Sequence, residues 1–400
     1  MHRALTSPTR SLGFSHPSIL TTTREILVDP RYKHLADIMI DFSTRVEPGD
    51  HVLLQTDVST PHDMNLAIIE AARKRGGVML APIVLNQRLM AAARPGCTER
   101  SLGVDAQAYL ATIRGTKVRI VFRGYTNPLE MSAVPGADQQ RYDKCYTSEV
   151  IQESVENTRW VLSVWPTTGF ALMAGLSTTE AENMFFNAVL ADYPAMERAV
   201  QPLKDLMDRT HEVRIVGPGE TSLQFSIQGI GGVPCVGHRN IPDGEVYTAP
   251  VRDSMNGTIQ YNTLSITKSG ERFEGVRFEV VRGRIVKSGC NVGDPKRIEQ
   301  ILDTDEGARY FGEWSLGLNW GIQSIIGDTL FDEKVGGTFH LTPGKAYTNA
   351  DNGNRSGVHW DIVCDQRKPA GGGEIHFDGR LIRKDGLFVI EELAGLNPPA

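Results

Sequence analysis

The chain has 400 residues, 40% of them hydrophobic and 22% charged, with a formal net charge of −6. That length is too great for one ordinary core and suits two domains. The acidic balance gives no electrostatic reason to expect nucleic acid as a partner, and no run approaches the roughly 20 apolar residues of a membrane span.

Residues 1–33 carry Arg3 and Arg10 with no acid before Glu25 and lack a secretory apolar core, so a poorly ordered N-terminal extension is expected. From residue 34, HLADIMIDFSTRV predicts an amphipathic helix, EPGD a turn and HVLLQTDV a buried strand. PHDMNLAIIEAARKRG follows as a helix opened by Ser59 or Thr60 and closed by Gly76, and GVMLAPIVL as a second strand. Strand–helix–strand at this spacing implies a right-handed parallel unit. VRIVFRGY (118–125) and RWVLSVWP (159–166) add two strands, so residues 34–205 are expected to form an α/β domain on a doubly wound parallel sheet. The turn TDVSTPHD after the first strand contains no glycine, and without a GxGxxG no nucleotide is expected in this half.

Residues 179–211 are helical in pattern, and the domain boundary is placed near residue 206. Beyond it come strand-like runs punctuated by Gly, Pro and Asn: EVRIVGPGETSLQFSI, TIQYNTLSI, VRFEVVRGRIV, GGTFHLTPG, VHWDIVCD and EIHFDGRLIRKDGLFVI. One helix is expected near PKRIEQILDT and a short one at ARYFGEW. Residues 206–400 therefore read as a β-rich α+β domain. The five cysteines (Cys97, Cys145, Cys235, Cys290, Cys364) are scattered and form no CxxC pair, so reduced thiols and a cytosolic protein are expected.

The chemistry concentrates in four segments of that second half: IPDGEVYTAP (241–250), RYFGEWSLGLN (309–319), FDEKVGGTFHLTPGKAY (331–347) and SGVHWDIVCD (356–365). They offer Glu245, Glu313, Glu333, His340, His359 and Asp361, with Tyr347 close behind. Strand alternation would send His359 and Asp361 to one face and Val358, Trp360 and Ile362 to the other. An Asp orienting a core histidine would use the same pair, and the DEK triplet taken alone reads as a solvated turn. Glu313, among Tyr310, Phe311, Trp314 and Leu316, is the most suggestive acid, because a carboxylate among buried neighbours is costly unless paired or metal-bound. Two divalent cations would balance the four carboxylates, whereas one would leave a large negative excess, so a two-metal hydrolytic centre fits best. Mixed carboxylate and imidazole donors suit zinc, cobalt or manganese.

These four segments, in this order, resemble the aminopeptidase T and aminopeptidase S family of metallopeptidases. The likeness runs through most of the chain from about residue 34, and its specificity lies in residues 240–365. The resemblance implies that Glu245, Glu313, Glu333, His340, His359 and Asp361 bind two metals, that Glu313 bridges them, and that Tyr347 is the catalytic hydroxyl; Glu313 or Glu333 is then the candidate to move the proton to the leaving amine. It also implies a peptide substrate with a free N-terminus, an N-terminal α/β domain, a C-terminal metal-bearing domain and a homodimer enclosing the active site. Spacing alone leaves the bridge and the role of the tyrosine open. Two departures from the family pattern stand beside the substrate space: the Glu333–His340 interval is two residues longer, and the loop TNADNGNRSGV before His359 is shorter. Lys334 and Arg355 are each placed to anchor the substrate's carboxylate end or to form a surface salt bridge.

Two other readings use the same residues. Relatives that open hydroxypyridine rings with a single ferrous ion need two His and one Asp, which His340, His359 and Asp361 would supply. Such a site has no use for Glu245, Glu313 and Glu333. Purely structural metals would favour cysteine-rich tetrahedra, and only Cys364 lies near these ligands.

Overall fold

The computed structural model describes residues 29–267 and 270–398. Most of the expected N-terminal extension, residues 1–28, lies outside the described residues. The described chain opens with the helix Pro30–Asp37, which Asp29 caps by accepting the Arg31 N–H at 2.9 Å, with proline in the first turn. Leu35, Ala36, Met39 and Ile40 turn inward from this helix and the π-turn that continues it.

The first half is built on a parallel sheet. The strand His51–Asp57 pairs with Val118–Arg123, which pairs in turn with Arg159–Val164, all in parallel. GVMLAPIVL is not one strand but two, Val78–Met79 and Ile83–Leu85, both paired to His51–Asp57. The run passes through Pro82, which has no N–H to give a ladder. The helix His62–Lys74 starts after Pro61 with no side-chain cap; the Ser59 hydroxyl instead bonds Asp57 at 2.5 Å. Gly76, in the left-handed region at φ +78°, lets the chain leave the helix.

The second half contains two large antiparallel sheets and a two-stranded one, Leu264–Ile266 with Arg272–Glu274. In the larger, the order is Arg284–Gly289, Arg277–Val281, Asn256–Gln260, Ser222–Ser226, Glu212–Val216, Glu374–Phe377, Arg380–Lys384 and Leu387–Phe388. The smaller has the order Val363–Asp365, Thr338–Pro343, Phe311–Gly317, Glu245–Thr248 and Val233–Cys235. Alternation gives this smaller sheet one apolar face. Val246, Trp314, Leu316, Phe339 and Leu341 point into a core shared with Ile215, Phe225, Ile259 and Phe377 of the larger sheet. The Trp314 ring lies 5.3 Å from Phe225 and 5.9 Å from Phe377, both edge-on. The opposite face is left to polar residues.

Two further local expectations need correction. ARYFGEW is not a helix: a 3₁₀ turn covers Glu306–Arg309, and Phe311–Gly317 is the central strand of the smaller sheet. VHWDIVCD is regular strand only over Val363–Asp365, although His359 makes an isolated bridge to Gly344 and Trp360 and Ile362 still enter the core.

The halves are not independent. Ile322, Ile326, Phe331 and Val335, all from the second half, are buried in the core of the first. The Phe331 ring meets Phe170 edge-on at 5.0 Å, and the Tyr125 hydroxyl donates to Asp328 at 2.9 Å.

Candidate metal centre

The polar face of the smaller sheet collects the carboxylates and imidazoles. Antiparallel register sets Ser315 opposite His340 on one side and Tyr247 on the other, and sets Glu313 opposite Thr342. Glu245 lies opposite Gly317, and the missing side chain there has a use. A Cβ on Gly317 would come within 2.2 Å of the Val335 carbonyl, so only glycine lets the Glu333–Val335 backbone lie against the strand. That close approach delivers Glu333 and Lys334 to the same face as Glu245. Gly312 serves the other side: a Cβ there would collide with the Lys345 carbonyl at 2.2 Å, and that carbonyl holds His359.

All six predicted ligand residues converge. His340 Nε2 is 3.2 Å from Glu313 Oε1 and 3.8 Å from Glu245 Oε2. His359 Nε2 is 3.3 Å from Glu313 Oε2 and 3.3 Å from Asp361 Oδ1. The two oxygens of Glu313 thus face different histidines. Three sets of three residues, Glu245–Glu313–His340, Glu313–His359–Asp361 and Glu333–His340–Asp361, each present ligand atoms within 4.8 Å of one another. Carboxylate oxygen and imidazole nitrogen in sets of three are the donor chemistry that borderline divalent ions accept, so the residues fit such ions.

Around this group stand supports that only alternation could have indicated. Ser315 Oγ donates to Glu245 Oε2 at 2.9 Å, and Thr342 Oγ1 donates to Asp361 Oδ1 at 2.7 Å. Each sits two residues from a predicted ligand on the same strand. His359 Nδ1 is 2.8 Å from the Lys345 carbonyl, which fixes a proton on Nδ1 and turns Nε2 to the carboxylates.

Lys334 is where sequence reasoning missed most. It is neither a substrate anchor at the surface nor half of a surface pair, but is 1% exposed, with Nζ 2.5 Å from both Glu245 Oε1 and Glu333 Oε1. The balance of charge changes accordingly: with Lys334 in the cluster, two divalent ions would leave room for one further anionic ligand. Arg355 is exposed and pairs with Asp351 at 2.6 Å. Asn352 and Asn354 of the same loop hold it in place, donating to the Pro250 and Phe311 carbonyls and to those of Gly307 and Gly344.

The electrostatics follow from crowding charges out of water. Burial alone would lower both imidazoles, but Glu313 and Glu245 lift His340 to about 9, and Asp361 and Glu313 lift His359 to about 11. Burial raises Glu333 to about 8, helped by Glu245 and Asp361 and opposed by Lys334. For Glu313, burial pushes up, but hydrogen bonds from His340 and His359 outweigh it and the carboxyl is lowered. Tyr347 is 42% exposed, its ring 4.8 Å from His359 and 5.7 Å from Tyr247. Crowding of the phenol, then the charge of Glu313, Asp361 and Glu333, holds its proton on.

Residues 28–388 match the family model described as thermophilic metalloprotease (M29). Aminopeptidase T of Thermus aquaticus is 26% identical, the alignment covering 89% of this chain and 95% of that protein. Aminopeptidase 2 of Geobacillus stearothermophilus is 34% identical over 37% of each chain. Among solved structures, wild-type aminopeptidase T from Thermus thermophilus superposes with a TM-score of 0.76 at 23% identity, covering 90% of this chain and 99% of that one. A 2,5-dihydroxypyridine dioxygenase from Pseudomonas putida shares the fold with a TM-score of 0.60 at 15% identity, over 92% of this chain and 99% of its own.

Proposed function

The chain belongs to the M29 family of thermophilic metalloproteases, and from that premise we propose that it is a metal-dependent aminopeptidase removing the N-terminal residue of a peptide. One observation carries the reading: Glu313 presents one oxygen to His340 at 3.2 Å and the other to His359 at 3.3 Å. That is the arrangement of a carboxylate shared by two positions. Glu245 and His340 would complete one, His359 and Asp361 the other, with Glu333 at their margin. Zinc, cobalt or manganese bound there would supply Lewis acidity and a water made acidic enough to attack a carbonyl at neutral pH.

The protein's own residues account for the rest. The cluster is closed beneath by Glu245, Lys334 and His340 and reached from solvent past His359, Asp361, Glu333 and Tyr347, so a peptide enters on the tyrosine side. Tyr347 keeps its proton and donates it as a hydrogen bond to the oxyanion developing on the scissile carbonyl. Glu333 has one oxygen on Lys334 and its other free, which suits it to carry a proton to the leaving amine. Glu313 is less suited, since both its oxygens are engaged.

The five cysteines are free, in keeping with a reducing, cytoplasmic setting, and no helix of the described residues is long and apolar enough to cross a membrane. A homodimer enclosing the site belongs to the same reading and is checked by light scattering. Ring-opening of a dihydroxypyridine on the same fold would use His340, His359 and Asp361, but would leave buried Glu245 and Glu313 without a role. The deciding experiment is metal analysis per subunit with hydrolysis of a panel of aminoacyl amides. Two ions and amide cleavage abolished in a folded Glu313→Gln variant are expected. Cleavage unchanged in that variant, or iron-dependent oxygen uptake with a dihydroxypyridine, would overturn the proposal.

A further inference from the structure

Lys334 has no part in the chemistry just described, yet it is fully enclosed in the cluster. Its ammonium takes Oε1 of Glu245 and Oε1 of Glu333, each at 2.5 Å. The remaining Glu245 oxygen already accepts the Ser315 hydroxyl at 2.9 Å. Around Glu245 and His340, therefore, a fixed positive charge stands beside the donors and one donor is partly spoken for. His340 adds to this, because among the described residues its buried Nδ1 has no hydrogen-bond partner, so no carbonyl holds a proton there to turn the Nε2 lone pair toward an ion. Around Glu313, His359 and Asp361 the situation is reversed. Among the described residues no lysine or arginine pairs with these three, and the Lys345 carbonyl fixes a proton of His359 on Nδ1.

We propose that Lys334 is a resident cation that grades the two metal positions, so that the one bounded by Glu313, His359 and Asp361 fills first and the one bounded by Glu245, Glu313 and His340 fills second and more weakly. This rests on the two-position reading above. Like charge a few ångströms away opposes an entering dication directly, and a preset imidazole lone pair favours it. Lys334 is then a positioning residue: it touches no substrate, and it also keeps Glu245 and Glu333 apart from each other's charge until the second ion arrives.

The test is zinc binding, followed by calorimetry and by metal analysis after dialysis, on the full-length chain stripped with chelator. Wild type is expected to bind zinc in two separable steps. Lys334→Met should tighten the weaker step by about 10- to 100-fold while leaving the tighter one within about 3-fold. Lys334→Arg keeps the charge and should keep the two steps apart. His359→Ala should delete the tight step and His340→Ala the weak one, which preserves the test if Lys334→Met fails to fold. Two equal steps in wild type, a weaker step unmoved or loosened in a folded Lys334→Met, or loss of the tight step in His340→Ala would overturn the proposal. A single zinc ion in wild type at saturation would sink the two-position reading itself, and the grading with it; two ions with an indifferent Lys334→Met would sink the grading alone.

Discussion

Tyr347 and Thr342 show how differently two hydroxyls can serve one centre. Tyr347 lies at the solvent edge, 42% exposed, with its ring edge-on to Tyr247 and tilted against His359. A phenol held protonated there contributes only when an oxyanion forms. Tyr347→Phe should therefore lower kcat by about 10²–10³ with KM and zinc content nearly unchanged. Steady-state kinetics on an aminoacyl amide with metal analysis of the same sample checks this, and a variant that loses zinc along with rate would deny the assigned role. Thr342 is buried and never meets substrate; its hydroxyl fixes Asp361 at 2.7 Å. Thr342→Val keeps the shape and removes the donor, and is expected to weaken zinc binding by about 10- to 100-fold. If zinc affinity survives while turnover falls, Thr342 acts on something other than the ligand.

At the level of elements, the short helix Thr329–Asp332 decides where Glu333 and Lys334 go. Asp328 caps it, accepting the Leu330 N–H at 3.1 Å, and Asp332 accepts the Ile326 and Gly327 N–H groups at 2.8 and 2.7 Å. Phe331 and the Tyr125–Asp328 hydrogen bond fasten it to the first half of the chain. Tyr125→Phe strips a buried carboxyl of one donor and should cost about 1–2 kcal/mol, read as a lower urea midpoint at unchanged slope. An unmoved midpoint would mean that the contact between halves carries no stability. This element also marks what sequence could foretell. Alternation placed His359 and Asp361 together, and both do meet Glu313; Glu313 itself stood out as a carboxylate among apolar neighbours, although its strand was read as a short helix. Lys334 was misjudged because its burial depends on Gly317 admitting backbone at 2.2 Å and on a helix docked to a distant core, neither of which leaves a periodic trace. The same limit explains ARYFGEW, where aromatic residues suit strand and helix alike, and GVMLAPIVL, where Pro82 divided a run that reads as continuous.

Across the whole molecule, the proposed centre would tie folding to metal through protons. In the metal-free chain, His340 rises from 6.5 to about 9, His359 from 6.5 to about 11, and Glu333 from 4.5 to about 8. Each binds its proton more readily folded than unfolded. The stability this lends is complete below the unfolded value and is lost as pH climbs through the folded one. Glu313 and Asp361 are shifted downward, so the stability they lend is fully present throughout this range and is lost only at much lower pH. Between pH 6.5 and 9 the chelated protein should therefore lose stability steadily. The loaded protein should not, because the ions take the place of the protons and bind harder as those protons leave. The difference in Tm between zinc-loaded and chelated samples is thus expected to widen from pH 6.5 to 9, measured by differential scanning fluorimetry at fixed zinc. A gap that stays constant or narrows over that range would mean that the imidazoles and Glu333 do not exchange protons for metal, and that the six residues, though gathered in one place, are not its ligands.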